Sequence, residues 1–419
     1  MSKFARRGWR TPAECMAWVL APVTEDVFRS QHYERQHLHV RREDPHYWSD
    51  LLTLADVNDH LSSRELNHPR VKLVNAEGGF PPSEEFTAND RIILPNLLRK
   101  FREGYTIVMS SMHDQMHDLG YFCDLMGNHL CHRFQTNLYL TPQDGSQGFK
   151  CHYDTHDVFI LQIYGRKLWR LYDSPFPLAH KSLPFEQNRV SPGGPAIEIL
   201  LEQGDMLYIP RGQMHEAISV DDVSLHITGG LLGVTYAEMV TEYFLDRVMH
   251  DEDLRRNLPL GYIHDPDQAA MVIKVHMERL FRKEADWRMA VDRFAVNFMR
   301  QSRPRLEGQF LQVRCVDDLD LGTRIAIRPN VMVYLSVKED RVDIEHSGNT
   351  ITFPITLSGA LRAILEKAEL TIGEIPDELD DEAKLVLARR LVLEGILEVR
   401  DPGLLGEKGF GLLQAVVRD

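Results

Sequence analysis

Gly148-Phe-Lys-Cys-His152-Tyr-Asp154-Thr-His156-Asp157-Val-Phe-Ile-Leu-Gln-Ile-Tyr-Gly165-Arg-Lys167-Leu-Trp-Arg170 is the stretch on which the reading of this chain turns, and Gly204-Asp-Met-Leu-Tyr-Ile-Pro-Arg-Gly-Gln-Met-His215 answers it downstream. His152-x-Asp154 with a distant His215 is the ligand set of a two-histidine, one-carboxylate facial triad. Such a triad grips Fe(II) on one face and leaves the opposite positions open for a co-substrate and O2. Residues two apart on a strand share a face, so a strand through this stretch lets His152 and Asp154 converge while Tyr153 points away. His215 is then expected from a neighbouring strand. Asp205-Met-Leu-Tyr-Ile-Pro210 is an apolar run with strand character, and Pro210-Arg-Gly212 is a turn that brings the chain back across the sheet. His-x-Asp alone is a weak motif; the strand context and the matching distal histidine give it weight, and together they imply oxygenase chemistry.

Working outward, short strand candidates separated by Gly, Pro and Asp surround the motif: Arg133 to Pro142, Val158 to Tyr164, Leu168 to Tyr172, Ile197 to Leu201, Met206 to Ile209, His215 to Val220 and Val223 to Leu231. Many short strands with regular turns suggest a sandwich or barrel. Two ligands on one strand and a third on another place the ion inside it, at the mouth of a jelly roll. Upstream, Thr24 opens a helix as its capping residue, Leu54 to Leu61 and Ile93 to Gly104 carry helical spacing, and Leu38-His-Val-Arg reads as a short strand.

Downstream the texture changes at Thr235. Tyr236 to Met249, Gln268 to Lys283 and Trp287 to Met299 show apolar stripes opposite charged faces, with Tyr243, Phe244, Trp287, Phe294 and Phe298 among the stripe residues. These helices either pack on their own barrel or pair about a two-fold axis with a second copy; the amount of apolar surface favours the second, a homodimer. After Arg303-Pro304 strands are expected at Phe310 to Arg314, Thr323 to Ile327, Val331 to Val337 and Arg341 to Ile351. Helices Ser358 to Glu369 and Asp380 to Glu394 and a strand at Ile396 follow, an order that resembles a winged helix. The expected domains are therefore 1–234, a catalytic barrel with N-terminal helical elements; 235–302, a helical dimerisation region; and 303–419, a winged-helix-like domain.

With 419 residues, 43% of them hydrophobic and 26% charged, the chain is long enough for two or three packed domains. Cys15, Cys123, Cys131, Cys151 and Cys315 follow no CxxC spacing, which argues against a disulfide framework or structural zinc and suits a reducing cytoplasm. No apolar run reaches the roughly 18 residues that cross a membrane, and the N-terminus has basic residues without an apolar stretch. A formal net charge of −14 opposes nucleic acid over most of the surface, and Asp381, Glu382 and Glu394 dilute the basic residues of the would-be recognition helix, so direct nucleic-acid binding is not expected.

Asn137-Leu-Tyr139-Leu-Thr-Pro, Gly145-Ser-Gln-Gly-Phe, His152-Tyr-Asp154, Asp157-Val-Phe-Ile-Leu-Gln, Gly165-Arg-Lys167-Leu-Trp-Arg, Gly204-Asp-Met-Leu-Tyr-Ile-Pro-Arg-Gly with His215, and Ser224-Leu-His-Ile-Thr228 follow one another in the chain. In this ordered set the chain resembles the JmjC-type, cupin-fold ribosomal oxygenases, Fe(II)- and 2-oxoglutarate-dependent protein hydroxylases. The resemblance covers about residues 16 to 235. It implies an α+β protein with a double-stranded β-helix core, a helical dimerisation segment and a winged-helix-like C-terminal domain, acting on a polypeptide such as a ribosomal protein. It assigns His152, Asp154 and His215 to the metal, Lys167 to the distal carboxylate of 2-oxoglutarate, Tyr139 and Thr228 to hydrogen bonding, and Asn137 to the neighbourhood of metal and co-substrate. A buried dicarboxylate needs a fixed cation at its far end, although from the residues alone Lys167 also reads as a solvated turn lysine. His156 is expected near the substrate entrance, His226 as a buried, hydrogen-bonded histidine, and Asp157 and Glu216 either as supports of the ligands or as ordinary polar neighbours. A demethylase, a hydroxylase of another peptide or small molecule, and a non-catalytic cupin remain as alternatives.

Overall fold

Asp157–Asp173 and His215–Leu232 are single strands of 17 and 18 residues, where the sequence suggests a break inside each. Gly165 explains the first. Its φ is +65°, a Cβ there would stand 2.1 Å from the Val223 carbonyl oxygen, and only glycine lets the strand bend at this corner without ending. A bulge between Val220 and Leu225 bends the partner strand at the same place.

The strands of the largest sheet are, in chain order, β1 Leu38–Val40, β2 Val71–Val74, β3 Thr106–Met109, β4 Arg133–Thr141, β5 Asp157–Asp173, β6 Gly193–Leu201, β7 Met206–Ile209 and β8 His215–Leu232. They form an eight-stranded antiparallel sheet in the order β1-β7-β5-β8-β4-β3-β2, with β6 on β5. The bent strands belong to both halves. Val158 to Leu161 pair with β7 and with Ile227 to Gly230 of β8, whereas Lys167 to Leu171 pair with β6 and with His215 to Ser219. Val158, Ile160, Trp169, Leu171, Ile199, Leu201, Leu207 and Ile209 form one buried cluster. Phe159, Leu161 and Tyr208 face the other way, into the large core that includes Trp18 from helix Pro12–Leu20 and Phe122 from helix His117–Leu130. The first helix is fastened by a capping box, Thr11 with Glu14.

The computed structural model describes residues 3–4, 7–9, 11–143, 145–186, 190–282, 287–376, 378–401 and 404. Its chain divides into one unit of Met1–Gly233, Arg303–Met332 and Pro354–Asp419 and a second of Val234–Ser302 and Val333–Phe353. The segment expected as one domain from 303 to the C-terminus is therefore shared between them. In the second unit, helices Tyr236–His250, Pro266–Arg282 and Trp287–Gln301 keep company with the strands Val333–Val337 and Arg341–His346 and most of a third. Tyr334 donates to Asp292, and the Gly348 N–H donates to the Met299 carbonyl at 2.9 Å. Lys283, the expected end of the middle helix, lies outside the described residues.

In the first unit, the three-stranded sheet Glu369–Thr371, Arg324–Ile327 and Leu397–Val399 accompanies helices Ser358–Glu366 and Asp381–Leu393. One expected strand is a helix. Gln309–Arg314 is α-helical, entered from Gly308 at φ +73°, and the residue it buries is the polar Gln312. Gln312 accepts from the Val399 N–H at 2.7 Å, while Phe310 and Val313 are exposed at helical spacing. A buried amide with a fixed backbone partner overrides the strand preference of the apolar residues beside it.

Candidate metal and co-substrate site

His152 and His215 face each other as an antiparallel bridge. The His152 N–H donates to the His215 carbonyl at 3.0 Å, and the His215 N–H donates back at 2.7 Å. Asp154 is placed by a different bond, its carbonyl accepting from the Gly212 N–H at 2.9 Å. The regular strand starts only at Asp157, so His152 and Asp154 converge because the backbone is tied to β8 and to the turn before it, not through the alternation of a strand. His152, Asp154 and His215 each offer an atom within 4.8 Å of the others. His215 Nε2 stands 3.7 Å from Asp154 Oδ2.

The tautomers follow from the hydrogen bonds. His152 Nδ1 lies 2.8 Å from the Lys150 carbonyl and His215 Nδ1 2.9 Å from the Gln213 carbonyl. A carbonyl can only accept, so each Nδ1 carries the proton and each Nε2 keeps its lone pair for a metal. Burial, with His152 close by, brings His215 down to about 4, which keeps that imidazole neutral at ordinary pH. Burial would raise Asp154, but the imidazoles of His152, His215 and His156 outweigh it and hold the carboxyl below its usual range. Two imidazoles and one carboxylate suit Fe(II) bound on one face.

A row of side chains leads inward from this rim. On β4, Phe134, Thr136, Leu138 and Leu140 are buried, whereas Gln135, Asn137 and Tyr139 are only half-buried, because they face the site. On β8 the residues opposite Gln135, Asn137, Tyr139 and Thr141 are Gly230, Thr228, His226 and Ser224. Asn137 Oδ1 accepts from the Ser111 N–H at 2.9 Å. Tyr139 stacks on His226 with ring centres 4.9 Å apart, and Trp169 stands edge-on to His226 at 5.6 Å and tilted against His215 at 5.9 Å.

Lys167 is 4% exposed, so it points inward. Its Nζ donates to Thr141 Oγ1 at 2.9 Å, and no carboxylate pairs with it among the described residues. Burial alone lowers its pKa to about 7. A buried ammonium whose one neighbour is a neutral hydroxyl is incomplete until an anion arrives. Thr141 and Trp169, which complete this end, were legible as the period-two continuations Asn137-x-Tyr139-x-Thr141 and Lys167-x-Trp169.

The remaining candidates separate. His226 is buried as expected, but its Nδ1 has no hydrogen-bond partner; burial and the nearby Lys167 hold the ring well below its normal pKa and so neutral. Asp157 accepts from Tyr208 Oη at 2.7 Å and from Arg211 Nη1 at 2.9 Å. Glu216 accepts from Tyr172 Oη at 2.8 Å and Gln147 Nε2 at 3.0 Å. Both acids brace the backbone on which the ligands sit.

The JmjC domain family matches residues 111–239. Ribosomal oxygenase 1 of Gallus gallus is 31% identical over 452 aligned residues, which cover 94% of this chain and 73% of that protein. The chain belongs to the JmjC ribosomal oxygenases. Among other members, the bifunctional lysine-specific demethylase and histidyl-hydroxylase NO66 of Aedes aegypti is 30% identical over 317 residues, 70% of this chain and 49% of that protein. The chain thus spans about half the length of several relatives it matches. Its fold matches the Escherichia coli ribosomal oxygenase YcfD, solved in complex with cobalt and 2-oxoglutarate, at a TM-score of 0.51 and 18% identity over 91% of this chain and 99% of that one. At that identity the likeness establishes the JmjC cupin-type fold, with mixed helix and sheet.

Proposed function

We propose that this chain is an Fe(II)- and 2-oxoglutarate-dependent oxygenase that hydroxylates a side chain of a polypeptide, a ribosomal protein in keeping with its family. The observation that carries the reading is the pairing, inside one barrel, of a His152/Asp154/His215 rim with the carboxylate-free, buried Lys167. Bound Fe(II) would supply O2 activation coupled to decarboxylation of the co-substrate: 2-oxoglutarate, O2 and a C–H bond become succinate, CO2 and C–OH. The chain's own part is positional. His152, Asp154 and His215 hold the metal on one face; Lys167, with Thr141 beside it, anchors the distal carboxylate; Tyr139, Asn137 and Thr228 line the path between. Trp169 and the Tyr139/His226 stack keep that path dry, which strengthens the Lys167 contact.

Fold details follow the same reading. The folded-over sheet in which β5 and β8 serve both halves supports a double-stranded β-helix. The second unit leaves Leu245, Met249, Met271 and Val275 more than half exposed on its helices, which supports a homodimer formed there. The helices and three-stranded sheet near the C-terminus support a winged-helix-like module that does not read nucleic acid. Its Lys384 is buried, Arg389 bonds the Asp317 and Leu319 carbonyls, and Arg390 pairs with Glu394 at 2.6 Å. No helix among the described residues is long and apolar enough to cross a membrane, and the five unpaired cysteines support a cytoplasmic site of action.

The test is to supply Fe(II), O2 and 2-oxoglutarate with ribosomes from a strain of the source organism lacking this gene. Succinate formation with gain of one oxygen atom on a ribosomal protein is expected. Release of formaldehyde with loss of a methyl group would make it a demethylase instead, and no 2-oxoglutarate turnover would leave a binding protein.

A further inference from the structure

The direction of the Asn137 amide is set from outside the barrel. Its Oδ1 accepts from the Ser111 N–H at 2.9 Å, so its Nδ2 is turned the other way and bonds the Tyr139 hydroxyl. Tyr139 is then the acceptor, and its own proton is left to donate to an anion. Ser111 leads into the turn Met112–Asp114 with φ at +53°, a left-handed conformation that a residue other than glycine holds only where its surroundings impose it. Two bonds hold the turn. The Thr136 N–H, one residue before Asn137, donates to His113 Nδ1 at 3.3 Å, and the His113 carbonyl accepts from Arg305 Nη2. Arg305 belongs to the C-terminal part of the same unit, just before helix Gln309–Arg314. It is firmly anchored there. Its N–H and Nη1 donate to the Asp124 carboxylate at 2.9 and 3.0 Å, and its carbonyl accepts from Asn330 Nδ2 at 2.7 Å. Its guanidinium rests on helix His117–Leu130 at Gly120, in space that a Cβ there would take.

We propose that Arg305 is a positioning residue for the co-substrate site: it crosses helix His117–Leu130 at Gly120 to hold the His113 carbonyl, and so keeps the turn that aims the Asn137 amide at the Tyr139 hydroxyl. The inference rests on the 2-oxoglutarate-dependent reading above and gives the C-terminal module a part in it. A guanidinium suits the task because its donors diverge from a rigid plane, so one meets the Asp124 carboxylate while another reaches the carbonyl. A lysine, with its charge at one point, satisfies one or the other. Without the Arg305 bond the Ser111 turn relaxes out of its left-handed conformation, the Ser111 N–H leaves Asn137, and the amide is free to turn over. An inverted amide presents its oxygen to Tyr139, which then donates its proton to Asn137 instead of to the co-substrate.

The experiment uses the full chain under anaerobic conditions, with Fe(II) binding and then 2-oxoglutarate binding to the Fe(II)-loaded protein read by calorimetry, and stability read by urea unfolding. Arg305→Met, and Gly120→Ala, which displaces the guanidinium without touching it, should each raise the Kd for 2-oxoglutarate about tenfold, the scale of one lost hydrogen bond, and leave Fe(II) affinity within about twofold. Arg305→Lys keeps a cation for Asp124, so it should unfold close to wild type and yet bind 2-oxoglutarate as weakly as Arg305→Met. A double-mutant cycle separates positioning from general loosening. Asn137→Leu weakens binding by itself, and adding Arg305→Met to it should change the Kd less than about twofold, because the amide through which Arg305 acts is gone. Unchanged 2-oxoglutarate affinity in both Arg305→Met and Gly120→Ala, or a tenfold loss from Arg305→Met that persists beside Asn137→Leu, overturns the proposal while sparing the enzyme reading. A wild-type protein with no measurable affinity for 2-oxoglutarate overturns both.

Discussion

Titrating Lys167 is the sharpest way to test the co-substrate site, because its environment dictates a number. The ammonium is 4% exposed and has a single hydroxyl neighbour, and its pKa is brought down to about 7. In the free protein it is then about nine-tenths charged at pH 6 and about one-tenth charged at pH 8. A dicarboxylate requires the charged form, and once bound it restores the pKa toward the usual lysine range. Binding above pH 7 must therefore draw a proton from solution. The apparent affinity for 2-oxoglutarate should fall about tenfold between pH 6 and pH 8 and by a similar factor again by pH 9, with proton uptake rising from near zero to about one per site. Calorimetry in two buffers of different ionisation heat, on anaerobic Fe(II)-loaded protein, reads both quantities. Lys167→Met serves as the control, because other groups that titrate near the metal remain in it while this slope disappears. Affinity independent of pH from 6 to 9, or no proton uptake at pH 8, would refute the reasoning and move the anchoring charge elsewhere.

The same lysine makes a stability prediction. Its folded pKa lies below its unfolded value, so between pH 7 and 10.5 the unfolded chain holds more protons and the protein gains stability as pH rises; at pH 6 Lys167→Met should unfold later than wild type, by at most about 5 kcal/mol, in a urea titration. His152→Ala, Asp154→Ala or His215→Ala should each abolish succinate formation and weaken Fe(II) binding, and full activity of Asp154→Ala with added Fe(II) would sink the ligand assignment. Gly165→Ala must hold φ at +65° with its Cβ 2.1 Å from a carbonyl oxygen; a loss of roughly 2–4 kcal/mol is expected in a thermal melt, and a neutral effect would mean that the corner of β5 can relax. Light scattering at micromolar concentration should give twice the 48.3 kDa chain mass, and Met249→Glu should halve it; a wild-type mass of one chain removes the dimer.

How much of this was legible in the residues depends on the range over which each feature is specified. The cluster of His152, Asp154 and His215 was readable because the chemistry of such a set admits few substitutes: two imidazoles and a carboxylate announce themselves whatever holds them. The strands of the barrel were readable from short runs bounded by Gly, Pro and Asp, and the capped helices from spacing, because both are local. Lys167 was not, since a lysine after Gly165-Arg166 is equally a surface residue; only the pairing of β5 with β8 across a glycine corner turns it inward, and that pairing joins residues about fifty apart. The helix at Gln309–Arg314 escaped for a similar reason, its buried Gln312 bonding to Val399, far along the chain. His156 shows the distinction most plainly. Its place two residues after Asp154 was visible in the sequence, but that its ring lies over the bare backbone at Gly230, outside the three groups that converge, is decided by packing from opposite sides. Tertiary contacts of that kind leave no periodic trace, because each is one residue's clearance against another that the chain reaches only after folding.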